Sequence, residues 1–242
     1  MKIFAKVYYN KAVDEIILKK LTHLQLGIEL CYTNSKYFLT ENNFQADLKK
    51  KLSKYKIPTV SHLPFYGIQF GCIDSNIAEF SYKIVKSAMD SAIDLGISQG
   101  VLHLSLLPMM PFNARKKWLT SFLTFFDRLL KYAENEKFTV LLENTWEEDF
   151  TLIKQILEIY NSRYLRVCLD IAHVFCFSKT ALDDWVSELG NYLTHIHLSD
   201  NNGDEDSHLQ IGKGSIPYDK ILPLLKKNAN DLTYTLETEI FD

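Results

Sequence analysis

The sequence lacks the marks of several large protein classes. Its four cysteines, Cys31, Cys72, Cys168 and Cys176, form no C-x-x-C pair. Cys31 and Cys168 lie inside apolar runs, where a free thiol packs as a small hydrophobe. That usage fits a reducing compartment better than a disulfide framework. There is no basic excess: the net charge is −3, so no general field exists for gripping a polyphosphate. The N-terminal stretch MKIFAKVYYNKAVDEII has no continuous apolar h-region. No window approaches the roughly 18–20 apolar residues that cross a bilayer. The expected location is the cytoplasm, with no membrane partner. The turn after the first apolar run, YYNKAVDE, contains no glycine, which argues against a doubly wound dinucleotide-binding sheet. No internal repeat, low-complexity tract or second domain is visible, so residues 1–242 are read as one domain.

What is present is a regular alternation. Short β-rich apolar runs occur at 2–9, 26–32, 57–63, 100–106, 138–144, 165–171, 193–199 and 232–238. Between them lie segments with helical spacing of apolar residues. In KKWLTSFLTFFDRLLKYAENE, for example, Trp118, Leu119, Phe122, Phe126, Leu129 and Leu130 mark one broad face. Strands alternating with amphipathic helices imply crossover units and a parallel sheet, and eight of them imply an α/β fold of the (β/α)8 TIM-barrel type. The eighth run ends close to Asp242, so the last helix is expected to be short or missing. A barrel wall left uncovered there would suit a second copy of the chain.

In such a barrel, chemistry sits at the C-terminal ends of the strands. His62 ends the third run, His103 lies on the fourth, Glu143 ends the fifth, and Asp170 ends the sixth with His173 just beyond. His195 and His197 lie on the seventh, Asp206 and His208 in the loop after it, and Glu237 on the eighth. Each residue alone has a structural explanation: a rim histidine satisfying a hydrogen bond, or an N-cap aspartate opening a helix at DIAH. His195, one layer deeper than His197, is read as a supporting core residue. Together they are harder to explain so, because converging carboxylates without cations repel one another. A divalent ion removes that conflict. Imidazole plus carboxylate without thiolate suits zinc or manganese. The nine candidate ligands are His62, His103, Glu143, Asp170, His173, His197, Asp206, His208 and Glu237, more than one ion takes, which points to two or three ions within an expected range of one to three per chain.

The motifs LLENT, CLDIAH, HIHLSD and DSHLQIGKG, with GIEL on the second run, resemble the xylose isomerase-like barrel superfamily over nearly the whole chain. That superfamily includes sugar isomerases and epimerases and the apurinic-site endonucleases of the endonuclease IV type. The resemblance to the isomerases and epimerases implies one metal held by Glu143, Asp170, His197 and Glu237, with the two glutamates handling the substrate proton and His173 orienting a substrate oxygen. The resemblance to the endonucleases implies three zinc ions and adds His62, His103, His173, Asp206 and His208 as ligands. The nuclease family carries an Asn/Gln/Arg-bearing loop after strand two that enters DNA, whereas IELCYTNSKYFLTENN here has no arginine.

These observations lead first to a metal-dependent isomerase or epimerase. It would act on a small sugar, sugar phosphate or polyol by proton transfer next to a carbonyl. The alternatives are a multinuclear zinc phosphoesterase and a metal-binding barrel without turnover. Tyr32 and Trp146 are the aromatic residues expected to touch substrate, and Gly212 and Gly214 are expected to turn the DSHLQIGKG loop tightly.

Overall fold

Each of the eight apolar runs forms a strand: β1 (Lys2–Tyr8), β2 (Gly27–Cys31), β3 (Thr59–His62), β4 (Gln99–His103), β5 (Thr139–Glu143), β6 (Leu165–Asp170), β7 (Leu193–Leu198) and β8 (Thr233–Leu236). All neighbours pair in parallel, and β8 closes onto β1, in a computed structural model that describes residues 2–40, 42–228 and 231–238. The connecting helices are α1 (Glu15–His23), α2 (Ser35–Thr40), α3 (Asn42–Tyr55), α4 (Ser75–Asp94), α5 (Phe112–Asn135), α6 (Thr151–Tyr160), α7 (Ile171–Phe177), α8 (Leu182–Leu189) and α9 (Tyr218–Asn228). The fold is a (β/α)8 TIM barrel. The expectation of a short or missing last helix concerns residues after 238, which lie outside the described residues. No helix among the described residues is long and apolar enough to cross a membrane.

Two cores follow from the period-two alternation of each strand. Outward-facing strand residues pack against the helices, as on α5, where Trp118, Phe122, Phe126 and Leu129 are buried. Burying one such side chain is worth about 1.5–3 kcal/mol, so α5 is fixed mainly by this face. Inside the barrel, Val101, Leu141 and Cys168 form a separate small apolar cluster on β4, β5 and β6. Two residues further along the same strands stand His103, Glu143 and Asp170. The apolar cluster is therefore the floor of whatever those three residues build.

On the opposite side the floor is polar. Glu29 on β2, His195 on β7 and Thr235 on β8 are fully buried and hydrogen-bonded to one another. The β6–β7 register shifts between Val167 and Cys168, after which Asp170 pairs with His197. That irregularity sets two candidate ligands side by side at the top of the barrel.

Candidate metal centre

The ends of β5 and β6 are locked by one side chain. Asn144 donates from Nδ2 to the Asp170 carbonyl (3.0 Å) and accepts at Oδ1 from the Asp170 N–H (2.8 Å). Asp170 then caps α7, its Oδ1 accepting from the His173 N–H at 2.7 Å. The cap uses Oδ1 alone, so the capping reading of DIAH leaves the other oxygen open to a ligand reading. Oδ2 is buried with no hydrogen-bond partner and belongs to a group of four donors, Glu143, Asp170, His197 and Glu237, whose ligand atoms lie within 4.8 Å of one another.

Four histidines are oriented by their other nitrogen. His62 Nδ1 donates to the Leu63 carbonyl (3.1 Å), His173 Nδ1 to the Asn144 carbonyl (2.8 Å) and His197 Nε2 to Glu29 (3.2 Å), while His103 Nδ1 pairs with Thr145 Oγ1 (3.4 Å). The carbonyl and carboxylate acceptors fix the tautomers of His62, His173 and His197, and all four bonds turn the remaining nitrogen into the barrel mouth. Phe65 adds a constraint by stacking on His103, with centroids 4.3 Å apart.

Those lone pairs meet carboxylate oxygens. Glu143 Oε2 lies 2.7 Å from His103 Nε2 and 3.3 Å from His62 Nε2, while Oε1 lies 2.9 Å from His197 Nδ1. The two oxygens of one carboxylate thus face two separate groups, His62–His103–Glu143 and Glu143–Asp170–His197–Glu237. Asp206 Oδ2 makes a third meeting point, 3.1 Å from both His173 Nε2 and His208 Nε2. His208 Nδ1 is 3.6 Å from Glu237 Oε2, which ties the third group to the second.

The loop carrying Asp206 and His208 is held by Asp200 at the end of β7. Asp200 exchanges two backbone hydrogen bonds with Leu209, both 2.8 Å, and its carboxylate accepts from the Asn201, Gly212 and Ile216 N–H groups. His208 itself has φ of 45°, a left-handed conformation uncommon outside glycine, held here by the flanking bridge. Gly212 takes φ of 86°, and a Cβ on Gly214 would stand 2.3 Å from the Asn201 carbonyl oxygen and 2.4 Å from Asp200 Oδ1. Both glycines are required by the turn. Gly214→Ala is expected to push the loop off Asp200, costing about 1–3 kcal/mol. Thermal melting and zinc content of the purified variant check this: the third ligand group should weaken while the fold persists.

The donor set fits divalent ions. Glu143 Oε2, Asp170 Oδ2, Asp206 Oδ1 and His208 Nδ1 are buried and make no hydrogen bond among the described residues. Orphaned oxygens of this kind are costly unless a cation meets them. Burial alone would raise the pKa of Glu143, but facing His103 and His197 hold it well below the usual carboxylate range. Burial, opposed by His173 and reinforced by Glu237 and Glu143, pushes Asp170 up to about 6. Burial would lower His173, yet Asp170 and Asp206 hold its pKa well above the usual imidazole value. Protons and divalent ions therefore compete for the same gaps.

Seven of the nine sequence-derived ligands line one cavity of about 220 Å³ that Trp146 and Phe65 flank, while Asp170 and His197 are fully buried beside Glu143 and Glu237. His195 lies beneath it, as expected, donating to Glu29 at 3.0 Å. Tyr32 is a correction. Cys31 faces the cavity, so its neighbour points the other way, into the helix layer, where Tyr32 packs on Tyr9 at 4.7 Å and bonds Ser91. One residue was missed: Glu29, fully buried in GIELC, whose Oε2 accepts from His195, His197 and Thr235. Its signal was an acid inside an apolar strand at the parity that faces the barrel axis.

The xylose isomerase-like TIM barrel family model matches residues 26–241. A probable endonuclease 4 of Aquifex aeolicus is 25% identical over 214 residues, covering 78% of this chain and 73% of that protein. Among solved structures, a D-tagatose 3-epimerase-like protein superposes with a TM-score of 0.85 at 21% identity, covering 98% of this chain and 91% of its own. The TTHB071 protein of Thermus thermophilus, soaked with ZnCl2, superposes with a TM-score of 0.84 at 24% identity, covering 99% and 92%. At these identities the superpositions speak to the fold.

Proposed function

The chain belongs to the xylose isomerase-like TIM-barrel family, and on that premise we propose that it is a multinuclear metal-dependent phosphoesterase acting on a small phosphoester. The carrying observation is Glu143, whose two oxygens face two different ligand groups while Asp206 gathers a third. A mononuclear isomerase site needs Glu143, Asp170, His197 and Glu237 alone. It would leave His62, His103, His173, Asp206 and His208 as buried or half-buried donors aimed at carboxylates for no purpose. The imidazole and carboxylate set suits zinc first and manganese second.

When bound, such ions supply Lewis acidity toward phosphoryl oxygens and make an attacking water more acidic. The protein's own contribution is positional. Asn144 fixes the Glu143–Asp170 spacing, Glu29 and the Leu63 and Asn144 carbonyls set the histidine tautomers, and the Asp200-anchored loop brings His208 over the mouth. Trp146 and Phe65 give the cavity apolar flanks that take the ester's organic part and limit water. The small cavity, the net charge of −3 and an arginine-free segment after β2 argue for a small substrate over duplex DNA.

A second reading is carried by the four-donor group itself. Glu143 and Glu237 converge on the same point, the arrangement that proton abstraction and return beside a carbonyl would use. One experiment separates the readings. Zinc- or manganese-loaded protein is given bis(p-nitrophenyl) phosphate and p-nitrophenyl phosphate, and in parallel ketohexoses in D2O followed by NMR. The phosphoesterase reading expects metal-dependent nitrophenolate release and no carbon-bound deuterium. Deuterium incorporation without ester cleavage reverses the assignment. Neither activity in metal-loaded protein leaves a metal-binding barrel without turnover.

A further inference from the structure

Six strands of the barrel, β3 to β8, or the loops after them supply all nine of these donors; from β1 and β2 only Glu29, already engaged with His195 and His197, joins a ligand group among the described residues. The β1–β2 side of the mouth is a different kind of wall: Lys6, Tyr8, Cys31 and Thr33 face the cavity there. Lys6 is the one lysine or arginine among the described residues lining that cavity. It sits on β1 at the same parity as Phe4, whose ring meets His195 inside the barrel, so the Lys6 side chain also rises within the barrel toward the opening. Its Nζ makes no hydrogen bond or ion pair with any described residue, although Glu237 and Glu29 are among the groups that act on it electrostatically.

The bland account makes Lys6 a counter-charge for Glu237. The charge balance argues against it once the ligand groups are filled, and to this extent the inference rests on the metal reading above. Three divalent ions bring six positive charges against the five carboxylates of Glu29, Glu143, Asp170, Asp206 and Glu237. The ammonium is then surplus, in a largely buried position where an unpaired charge is costly. An anion arriving with the substrate would satisfy it.

We propose that Lys6 Nζ anchors an oxyanion subsite on the β1–β2 wall, beside Tyr8 and Thr33, which binds an anionic oxygen group of the substrate. A phosphate and a carboxylate share the chemistry this subsite recognises. The substrate is therefore anionic on the side away from the ligand-bearing strands, and Lys6 is a specificity-determining residue.

The test uses full-length, zinc-loaded protein freed of excess metal, with inorganic phosphate and, separately, acetate as probes in isothermal titration calorimetry. Zinc per chain is measured on every sample. Lys6→Met is expected to bind phosphate at least tenfold more weakly with unchanged zinc content, while Lys6→Arg stays within threefold of wild type. A comparable loss for acetate with phosphate unaffected keeps the subsite and assigns it to carboxylates. Lys6→Gln, polar but uncharged, repeats the measurement against a folding defect and should behave as Lys6→Met. Unchanged binding of both anions overturns the proposal. So does loss of zinc together with the anion, since Lys6 would then serve only to balance Glu237. Anion binding needs no turnover, so a protein that binds phosphate through Lys6 yet cleaves no ester fails the reaction reading alone.

Discussion

Glu143→Gln is expected to lose at least one zinc ion per chain and to lower phosphoester turnover by about 10³-fold or more. The size follows from the double use of this carboxylate. Oε2 faces His62 and His103 while Oε1 faces His197, so one substitution weakens two ligand groups at once. The amide keeps the volume but offers one neutral oxygen, and its NH2 group is set against an imidazole lone pair. The fold should survive, because Asn144 still bridges β5 to Asp170 through backbone and amide. Elemental analysis and circular dichroism on the same preparation check both halves. Full zinc content with normal turnover would remove Glu143 from the centre.

Glu29→Gln is expected to weaken zinc binding by about 10–100-fold without removing a ligand. Glu29 stands below the mouth, and Oε2 accepts from His197 Nε2 (3.2 Å), His195 Nε2 (3.0 Å) and Thr235 Oγ1. A glutamine there has a single acceptor oxygen and sets an N–H against an N–H. His197 then loses the bond that keeps Nδ1 directed at Glu143 and Asp170. A competition titration against a zinc chelator reads the affinity, and a thermal melt separates this from general destabilisation. A positioning role predicts weaker zinc with a folded protein. Unchanged affinity would leave Glu29 as floor packing.

The contrast between these two residues shows what the sequence could carry. Glu143 was legible because it ends a strand, where a barrel places its chemistry, and because LLEN, DIAH and HIH recur at successive strand ends. Glu29 was not, because it lies in the middle of an all-buried strand and its partner His195 is 166 positions away. Only barrel closure brings β2, β7 and β8 around one point. Tyr32 failed for a related reason. Nearness to a strand end says nothing of side-chain direction, and the parity set by Cys31 turns it outward. The strands themselves were readable to within three residues at their ends, since β-branched and apolar runs bounded by polar turns leave little choice. The Asp206–His208 loop was legible in its residues and not in its geometry. Its position depends on Asp200 accepting backbone N–H groups up to sixteen residues away. Lys6 carried no signal at all until the cavity was formed, because a lysine in a first strand is ordinary.

On the proposed reading, nine side chains form three ligand groups and not one. The most direct measurement is zinc per chain, by elemental analysis, on protein purified without chelator or added metal, together with His208→Ala prepared in the same way. Two to three ions are expected in the wild-type protein and one fewer in the variant, since His208 and His173 meet at Asp206. A single ion, unchanged in His208→Ala, would contradict it and leave the four-donor group of Glu143, Asp170, His197 and Glu237 as the whole centre.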